Sequence, residues 1–297
     1  LSAANLTQAQ KQQLQTLLPG VTLNDSTLEK LEDVFYTREM PVRSRLKAIS
    51  QMVGLDQMPA GSTLKRTICI WDIGGRNGPV FNAAMEQRAL AVEYGINLDM
   101  VPYTNETVMV DEFKAGRCDA ALMSGLRARQ FNLYSGSVDA IGAVPSQKHM
   151  QTLLQVLSHP RQAGHMVQGD YVVMGIFPAG AAHIFVNDRS ISSLAKAAGK
   201  RVAVLDYDET QAEMVAAIGA TPVTTDIVSA PNKFNNGVVD VLAAPLVAYE
   251  ILELYKGMSP DGGIINYPLA QITMQLIGRK DKFPNEVAQL GREEFFN

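Results

Sequence analysis

Two stretches of the sequence, FKAGRCDAALMS at residues 113–124 and FNNGVVDVLAAP at residues 234–245, decide the predicted fold. Both contain phenylalanine, glycine and aspartate at three-residue intervals, followed by four apolar or small residues. The matching residues are Phe113 with Phe234, Gly116 with Gly237, and Asp119 with Asp240. An internal repeat of this kind indicates that the chain contains two structurally equivalent halves.

Short β-rich runs alternate with helical stretches up to the end of the first copy of the repeat. The runs are TICIWDI, INLDMVPY and CDAALMS, at 67–73, 96–103 and 118–124. The first two flank a predicted helix at 79–94, which places Phe81, Met85, Ala89 and Val92 on one face. This order is typical of an α/β protein with a parallel sheet, so we expect a βαβαβ lobe.

The second half shows the same order of elements. KRVAVLD at 200–206 is followed by a predicted helix at 208–220, a strand near 221–225 and the apolar run that ends at Pro245. Because the elements and the repeat recur in the same order, a second βαβαβ lobe is predicted. Parallel sheets bind ligands at the carboxyl ends of their strands, so we expect the site between the lobes.

Two long extended segments, at 170–190 and 262–283, connect the predicted halves. They are expected to cross between the lobes and to form a hinge that closes around a ligand, with a helix at 284–297 returning to the first lobe. The predicted domains are therefore 65–176 with 270–297 as lobe 1, and 177–269 as lobe 2.

Residues 1–60 form a separate predicted region. Their apolar residues recur at spacings of three and four, which predicts a helical N-terminal extension of three short helices. Thr7 and Ser26 are the expected N-caps, and the turn-rich stretch at 58–62 is the expected linker.

Composition limits the partners and the location of the chain. Its 26 basic and 30 acidic residues give a net charge of -4, so neither nucleic acid nor an anionic membrane is an expected partner. The most apolar stretch, 238–255, contains Asp240, Glu250 and Glu253 and is not expected to span a membrane. The chain begins at Leu1 without an export signal, which fits either a processed secreted protein or a shortened chain.

Motifs for metal binding and catalysis are absent from the sequence. The two cysteines are 49 residues apart and the four histidines lack ligand spacing, so neither a metal nor a cofactor is expected. No Gly-x-Ser-x-Gly or phosphate-binding loop is present. Cys69 and Cys118 fall in neighbouring predicted strands, where a disulfide is geometrically plausible and two buried free thiols are the alternative.

The sequence resembles the extracytoplasmic solute receptors of TRAP-type (DctP-like) transporters. The resemblance covers about residues 65–297 and rests on EFKAGRCDAALMSG, FVNDRSISSLAKAAGKRVAVLD and KFNNGVVDVLAAP. It is closest to solute-binding proteins of an AdeT-like branch, which share GLRARQFN, GIFPAGAAHIFVNDRSI and KFNNG. It implies a two-lobed, type II-like periplasmic-binding fold with crossing strands.

The resemblance also implies a function. We expect a monomeric periplasmic receptor, with its signal peptide removed, that closes like a Venus flytrap around a small polar metabolite and delivers it to a membrane permease without catalysis. The family favours an organic acid. However, the strand arginine with which typical receptors of this class bind a carboxylate is replaced here by Ala203, so the charge of the ligand stays open.

The candidate ligand-binding residues share a position at a predicted strand end or in a crossing segment. They are Asp72, Gly75, Arg76, Asn77, Thr104, Glu106, Ser124, Arg127, Arg129, Phe177, Ala179, Asp206, Tyr207, Asp208 and Pro245. The turn at 73–79 opens a helix whose free N–H groups can hold an anion, and dinucleotide binding there is disfavoured because the turn is not Gly-x-Gly-x-x-Gly.

Several of these residues also have structural interpretations. Asp208 has the spacing of a helix cap with Gln211, the arginines suit surface ion pairs, and Phe177 and Ala179 suit a hinge bend. Pro245 is expected to start a helix. One alternative function is an enzyme that acts on a small metabolite or nucleotide, either nucleotide-dependent or with Asp72, Asp206 and Asp208 as acid and base. The other is an interaction subunit that docks through residues 1–60.

Overall fold

The computed structural model describes residues 64–93, 96–283 and 285–294. The helices expected within residues 1–60, with caps at Thr7 and Ser26, lie outside them. The chain divides into two compact units: among the described residues, unit 1 contains 64–135, 154–176 and 275–294, and unit 2 contains 136–153 and 177–274. The expected lobe boundaries differ from this division, because 136–153 and 270–274 fall in unit 2.

Unit 1 is built on a βαβαβ arrangement. Its elements are β1 (Leu64–Trp71), α1 (Pro79–Glu93), β2 (Ile96–Tyr103), α2 (Glu106–Lys114) and β3 (Ala120–Ser124). β1 pairs in parallel with both β2 and β3 and therefore lies between them. The parallel lobe predicted for the first half is confirmed.

The apolar face predicted for α1 is buried at its start and exposed further along. Phe81 is buried, but Ala89 and Val92 are exposed. The spacing of apolar residues located the helix correctly, but it did not show how much of each side chain is covered.

Further elements follow β3 along the chain, and several pass from one unit to the other. They are α3 (Gly125–Ala128), α4 (Leu133–Gly136), α5 (Gln147–Leu157), β4 (Val167–Gln168) and β5 (Tyr171–Val186). The division between the units falls within β5, at residues 176 and 177. The strand continues through Phe177, where a bend was expected. Within it Gly180 has a φ of 96°, a conformation that favours glycine.

Unit 2 repeats the βαβαβ order. Its elements are α6 (Leu194–Ala197), β6 (Arg201–Leu205), α7 (Glu209–Ala217), β7 (Thr221–Thr225), α8 (Ala230–Asn235) and β8 (Val241–Pro245). β6 pairs in parallel with β7 and β8, as β1 does with its neighbours, while β5 pairs antiparallel with β8. The predicted second lobe is confirmed.

The chain ends with α9 (Ala248–Ile251), α10 (Tyr255–Met258), β9 (Gly263–Ile264), β10 (Ala270–Arg279) and α11 (Asn285–Glu294). β10 lies between β3 and β5 in the strand order, and the division between the units falls within it. The expected C-terminal helix is α11, which belongs to unit 1.

The repeated phenylalanine and glycine have the same structural roles in both units. Phe113 and Phe234 are fully buried. Gly116 and Gly237 follow the helices α2 and α8 with φ values of 83° and 70°, which side-chain-bearing residues rarely adopt. The repeat therefore anchors a helix in the core and then reverses the chain toward the next strand.

The repeated aspartate ties that next strand to the first strand of its own unit. Asp119 Oδ2 accepts a 2.8 Å hydrogen bond from the Thr67 N–H group, and Asp240 Oδ2 accepts one of the same length from Arg201. The Arg201 guanidinium also bonds to Asp240 and holds the pKa of that carboxyl well below its usual range. The equivalence of the halves thus extends to individual hydrogen bonds.

A disulfide joins Cys69 in β1 to Cys118, two residues before β3. Their Cα atoms are 5.8 Å apart, which is an ordinary separation for a bridge. The plausible pairing is confirmed, and the alternative of two free thiols is wrong.

Candidate functional site

Asp72 follows β1 directly, at the carboxyl end of the parallel strands of unit 1. It is 5% exposed; Oδ1 accepts a hydrogen bond from Gly74 N–H at 2.8 Å, and Oδ2 accepts one from Phe81 N–H at 2.9 Å. The carboxylate thus binds the first turn of α1 instead of pointing outward as expected. Asp72 therefore accepts a hydrogen bond from a helix N–H group that the sequence analysis expected to be available to an anionic ligand.

The turn after Asp72 is shaped by this carboxylate. Gly75–Asn77 form a short 3-10 helix, in which Gly75 has a φ of 58°. A Cβ atom on Gly78 would overlap the Asp72 carboxylate, so only glycine fits there. Arg76 and Asn77 are exposed, and they carry the accessible polar side chains of this turn.

The loop after β2 lies beside this turn. A Cβ atom on Gly75 would be 3.1 Å from Thr104 Cγ2, so the two loops are in contact. Thr104 is exposed, whereas Asn105 caps α2 by accepting a hydrogen bond from Val108 N–H at 3.1 Å. Arg76, Asn77 and Thr104 thus belong to one polar surface at the ends of β1 and β2.

Glu106 and Ser124 form a buried contact beneath that surface. Glu106 is 5% exposed, and its Oε1 accepts a 2.6 Å hydrogen bond from Ser124 N–H at the end of β3. Burial raises the pKa of the Glu106 carboxyl above its ordinary value, against the lowering effects of Ser124 and Arg127. Glu106 therefore connects the ends of β2 and β3 and favours the neutral form more than a surface glutamate does.

The two candidate arginines of this region differ in exposure. Arg127 is buried, and its Nη2 donates a 2.5 Å hydrogen bond to Thr107 Oγ1. Ser124 caps α3 by accepting a hydrogen bond from Arg127 N–H at 3.4 Å. Arg129 is exposed. Unit 1 therefore presents Arg76 and Arg129 as cations at its surface and keeps Arg127 inside.

In unit 2, Asp206 occupies the place that corresponds to Asp72. Asp206 N–H donates to Thr225 O at 2.9 Å, as Asp72 N–H donates to Tyr103 O at 2.9 Å. Unlike Asp72, Asp206 is exposed. The next residue, Tyr207, is half-buried.

Asp208 has the capping role that its spacing indicated. Its Oδ1 accepts a 3.3 Å hydrogen bond from Gln211 N–H at the start of α7. Asp226, which was not among the candidates, binds its own turn in the same manner, through Val228 N–H and Ser229 N–H at 2.8 Å each. Both carboxylates are therefore engaged by helix or turn backbone.

Pro245 does not start a helix, which corrects the expectation. It is the last residue of β8, where it pairs with Ala182 of β5, and α9 begins three residues later. Phe177 and Ala179 lie within β5; Phe177 is half-buried and Ala179 is exposed. Neither belongs to the strand ends that carry the other candidates.

The carboxyl ends of the parallel strands give each unit a surface of different chemistry. Unit 1 presents exposed cations and amide or hydroxyl groups, and unit 2 presents the Asp206 carboxylate. Among the described residues no cluster of three or more His, Cys, Asp or Glu side chains suits a metal ion. No helix within those residues has the length and apolarity needed to cross a membrane.

A buried carboxylate outside these surfaces lies in unit 2. Asp139 is 4% exposed; its Oδ2 accepts a 2.8 Å hydrogen bond from Thr273 N–H, and its Oδ1 accepts one of 2.5 Å from Thr273 Oγ1. Burial raises the pKa of Asp139 from 3.8 to about 6, because the two bonds offset only part of the desolvation.

We predict that Asp139 makes the stability of the folded chain decrease with rising pH. A carboxyl with a raised pKa binds its proton more tightly in the folded state, so its stabilisation is complete below pH 3.8 and lost as the pH approaches 6. The change amounts to about 3 kcal/mol. The difference in unfolding free energy between the wild type and Asp139→Asn, measured by urea unfolding between pH 3.5 and 7.5, should decrease by this amount as the pH rises, because carboxyls with a lowered pKa such as Asp240 contribute equally to both proteins. Exposed Asp111→Asn is the control, and an unchanged slope in Asp139→Asn would contradict the prediction.

Comparison with known proteins identifies the family of the chain. The family model for the solute-binding proteins AdeT 1/2 matches residues 55–297. The chain belongs to this AdeT family. It is 43% identical over 223 residues to the "Probable solute-binding protein AdeT1" of Acinetobacter baumannii, which covers 75% of this chain and 73% of that protein. AdeT2 of the same organism is 32% identical over 158 residues, 53% of this chain and 65% of that protein.

Solved structures similar to this AdeT-family chain are periplasmic solute-binding proteins of TRAP type. The protein from Desulfovibrio salexigens, with bound orotic acid, has a TM-score of 0.63 at 16% identity and covers 78% of this chain and 76% of its own. The protein from Ralstonia eutropha, with bound (S)-2-acetolactate, has a TM-score of 0.61 at 14% identity. The match covers 77% of this chain and 75% of that one. The protein from Sulfurospirillum deleyianum, with bound succinate, has a TM-score of 0.58 at 15% identity, and the match covers 79% of each chain.

These likenesses confirm the resemblance and the periplasmic-binding fold predicted from the sequence. The AdeT family consists of solute-binding proteins, so capturing a solute is the role of this chain. The enzyme interpretation is not favoured.

Proposed function

We propose that this AdeT-family chain is a monomeric periplasmic receptor that captures a small organic acid at the carboxyl ends of its parallel strands and delivers it unchanged to a membrane transporter. The observation that carries the proposal is the exposed polar surface of unit 1, formed by Arg76, Asn77 and Thr104 where β1 and β2 end. Open parallel sheets bind ligands at this edge. The structural neighbours hold orotic acid, acetolactate and succinate, which favours an acid.

The geometry supports a receptor over an enzyme. Of the three carboxylates considered for acid–base work, Asp72 is bound by two backbone N–H groups and Asp208 caps α7. Their carboxylate oxygens accept hydrogen bonds that hold the turn after β1 and the start of α7, which is a structural role. Of the three carboxylates, only Asp206 then remains for general acid–base catalysis, which requires an acid and a base.

The test is a thermal-shift screen of the purified chain against orotate, acetolactate, succinate and galacturonate. A ligand that binds only the folded state raises the melting temperature as it saturates the protein. We expect a shift with at least one acid and recovery of that acid intact by mass spectrometry. Chemical conversion of the acid would contradict the receptor, and the absence of binding by every organic acid would contradict the ligand class.

Arg76→Gln tests the polar surface directly. Replacing an exposed cation that contacts a carboxylate should weaken the affinity by about 10- to 100-fold, the worth of a charge-assisted hydrogen bond. Arg161→Gln is the matched control, because Arg161 is also exposed in unit 1 but belongs to the 3-10 helix Pro160–Met166 and not to the loops that follow β1 and β2. Equal affinities of the two variants would remove Arg76 from the site.

A further inference from the structure

The last turns of α1 in unit 1 present an uncovered apolar surface. Ala89 and Val92 are exposed, Val92 to 54%, and they lie three residues apart on one side of the helix. Glu86 and Glu93, both exposed, lie about one turn before and after Ala89 on that side, and exposed Arg88 borders Val92. This part of α1 therefore combines apolar side chains with a net negative charge.

The strand that follows α1 is also poorly covered. β2 stands at the end of the strand order, where it pairs with β1. Each of its residues is half-buried except Asp99, which is exposed, whereas all five residues of β3 are buried. Strands of parallel sheets are ordinarily covered on both faces. The described part of unit 1 thus leaves one surface incompletely covered, which we call the α1–β2 surface and define as residues 86–93 and 96–103.

The chain enters unit 1 beside this surface. Leu64, the first residue of β1, pairs with Ile96, the first residue of β2, and α1 ends at Glu93, three residues before Ile96. The ten residues 54–63 can span at most about 35 Å, and the 15 residues of α1 form a helix about 22 Å long. A segment that ends at residue 53 can therefore reach any part of the α1–β2 surface.

One of the three amphipathic stretches predicted within residues 1–60 has the charge to match this surface. The stretch 41–54, PVRSRLKAISQMVG, places Val42, Leu46, Ile49 and Val53 on one predicted helical face. It contains three cations and no acidic residue, the cations being Arg43, Arg45 and Lys47. The stretch 26–37 instead has three acidic residues and one lysine, and 7–18 has a single charged residue. Opposite charges attract, so 41–54 is the stretch favoured beside Glu86, Glu93 and Asp99.

We propose that residues 41–54 form an amphipathic helix that docks on the α1–β2 surface of the same chain. The apolar face of this helix covers Ala89 and Val92, and its arginines lie beside Glu86 and Glu93. The short connection to β1 keeps the segment at a high effective concentration near the surface, so a weak contact is sufficient. A second copy of the chain is disfavoured as the occupant, because a symmetric contact would bring the acidic residues of two identical surfaces together.

Carbodiimide cross-linking tests where the segment lies, because the reagent joins an amine to a carboxylate in contact with it. The full chain with Arg43→Lys and Arg45→Lys keeps its charge and has amines at both edges of the apolar face. We expect links from position 43 or 45 to Glu86 or Glu93 within one chain, mapped by mass spectrometry. In a mixture of isotopically labelled and unlabelled chains, links between the two kinds would show a second copy and overturn the proposal. Links to these glutamates from Lys30 in place of positions 43 and 45 would overturn it too.

Hydrogen exchange of the full chain tests whether the contact stabilises the α1–β2 surface. Ile49→Asp puts a charge on the docking face and should make exchange in 86–93 and 96–103 about tenfold faster. Gln51→Asp is the matched control, because residue 51 falls on the opposite side of the predicted helix. The same exchange rates in the two variants would contradict the docking.

The reciprocal experiment changes the surface and observes the segment. Val92→Arg should accelerate hydrogen exchange in 41–54, because it removes an apolar contact and repels the cations of the segment. Val156→Arg is the control, since Val156 is 51% exposed on α5 and lies outside the α1–β2 surface. Exchange in 41–54 that responds to neither variant, or equally to both, would overturn the proposal.

Discussion

Replacing both Cys69 and Cys118 by alanine is expected to lower the free energy of unfolding by about 4 kcal/mol. The bridge joins residues 49 positions apart, and a crosslink across a loop of that length removes much conformational freedom from the unfolded chain. Both cysteines are buried, and the bridge ties β1 to the segment that enters β3. Urea unfolding monitored by circular dichroism measures the loss.

Reduction of the wild-type chain provides the control for this substitution. A reductant should lower the stability of the wild type to that of the alanine variant and should leave the variant unchanged. A variant as stable as the oxidised wild type would show that the bridge does not stabilise the fold. A further loss in the variant on reduction would show that the reductant acts elsewhere.

The fold was predictable because its signals are local and occur twice. The three-residue spacing of Phe113, Gly116 and Asp119 recurs at 234–240, and each member has the same structural role in its own unit. Strand boundaries followed from apolar runs bounded by turns, and β2 has the predicted limits. The runs could not show how much of each face is covered, and Ala89 and Val92 on the predicted apolar face of α1 are exposed.

The candidate site was predictable only as a set of strand ends. Sequence placed Asp72 and Asp206 at equivalent positions, and their backbone bonds are equivalent in the structure. Their side chains differ because Asp72 is followed by glycines that let the backbone of α1 approach its carboxylate. That approach depends on the path of the turn, which residue types alone do not determine.

The path of the chain after β8 also differs from the prediction. The sequence predicts that a single helix begins at Pro245. The structure breaks the expected helix into α9 and α10, with Glu253 between them at a φ of 52°. Leu246 and Val247, which precede α9, are exposed, whereas Leu254 between the two helices is buried.

Phe234→Ala is expected to destabilise the chain by about 3 to 5 kcal/mol, the usual loss when a buried phenylalanine is truncated. The ring is fully buried and packs in a cluster with Phe185, Leu242 and Leu254. It also lies against Gly257, where a Cβ atom would be 2.7 Å from Phe234 Cδ1. The neighbouring backbone is thus fitted to the ring and cannot close the cavity easily. Urea unfolding of the variant gives the size of the loss.

Phe113→Ala is the matched variant in unit 1, since Phe113 is equally buried and contacts Phe131 and Tyr171 at ring separations of 5.2 and 5.4 Å. If the repeat anchors each unit separately, hydrogen exchange should accelerate first in β6 and β8 of Phe234→Ala, and first in β1 and β3 of Phe113→Ala. Tyr267→Ala, at a residue that is 62% exposed, should change stability by less than about 0.5 kcal/mol. Uniform acceleration in both phenylalanine variants would mean that the two units unfold together and that neither copy of the repeat stabilises its own unit alone.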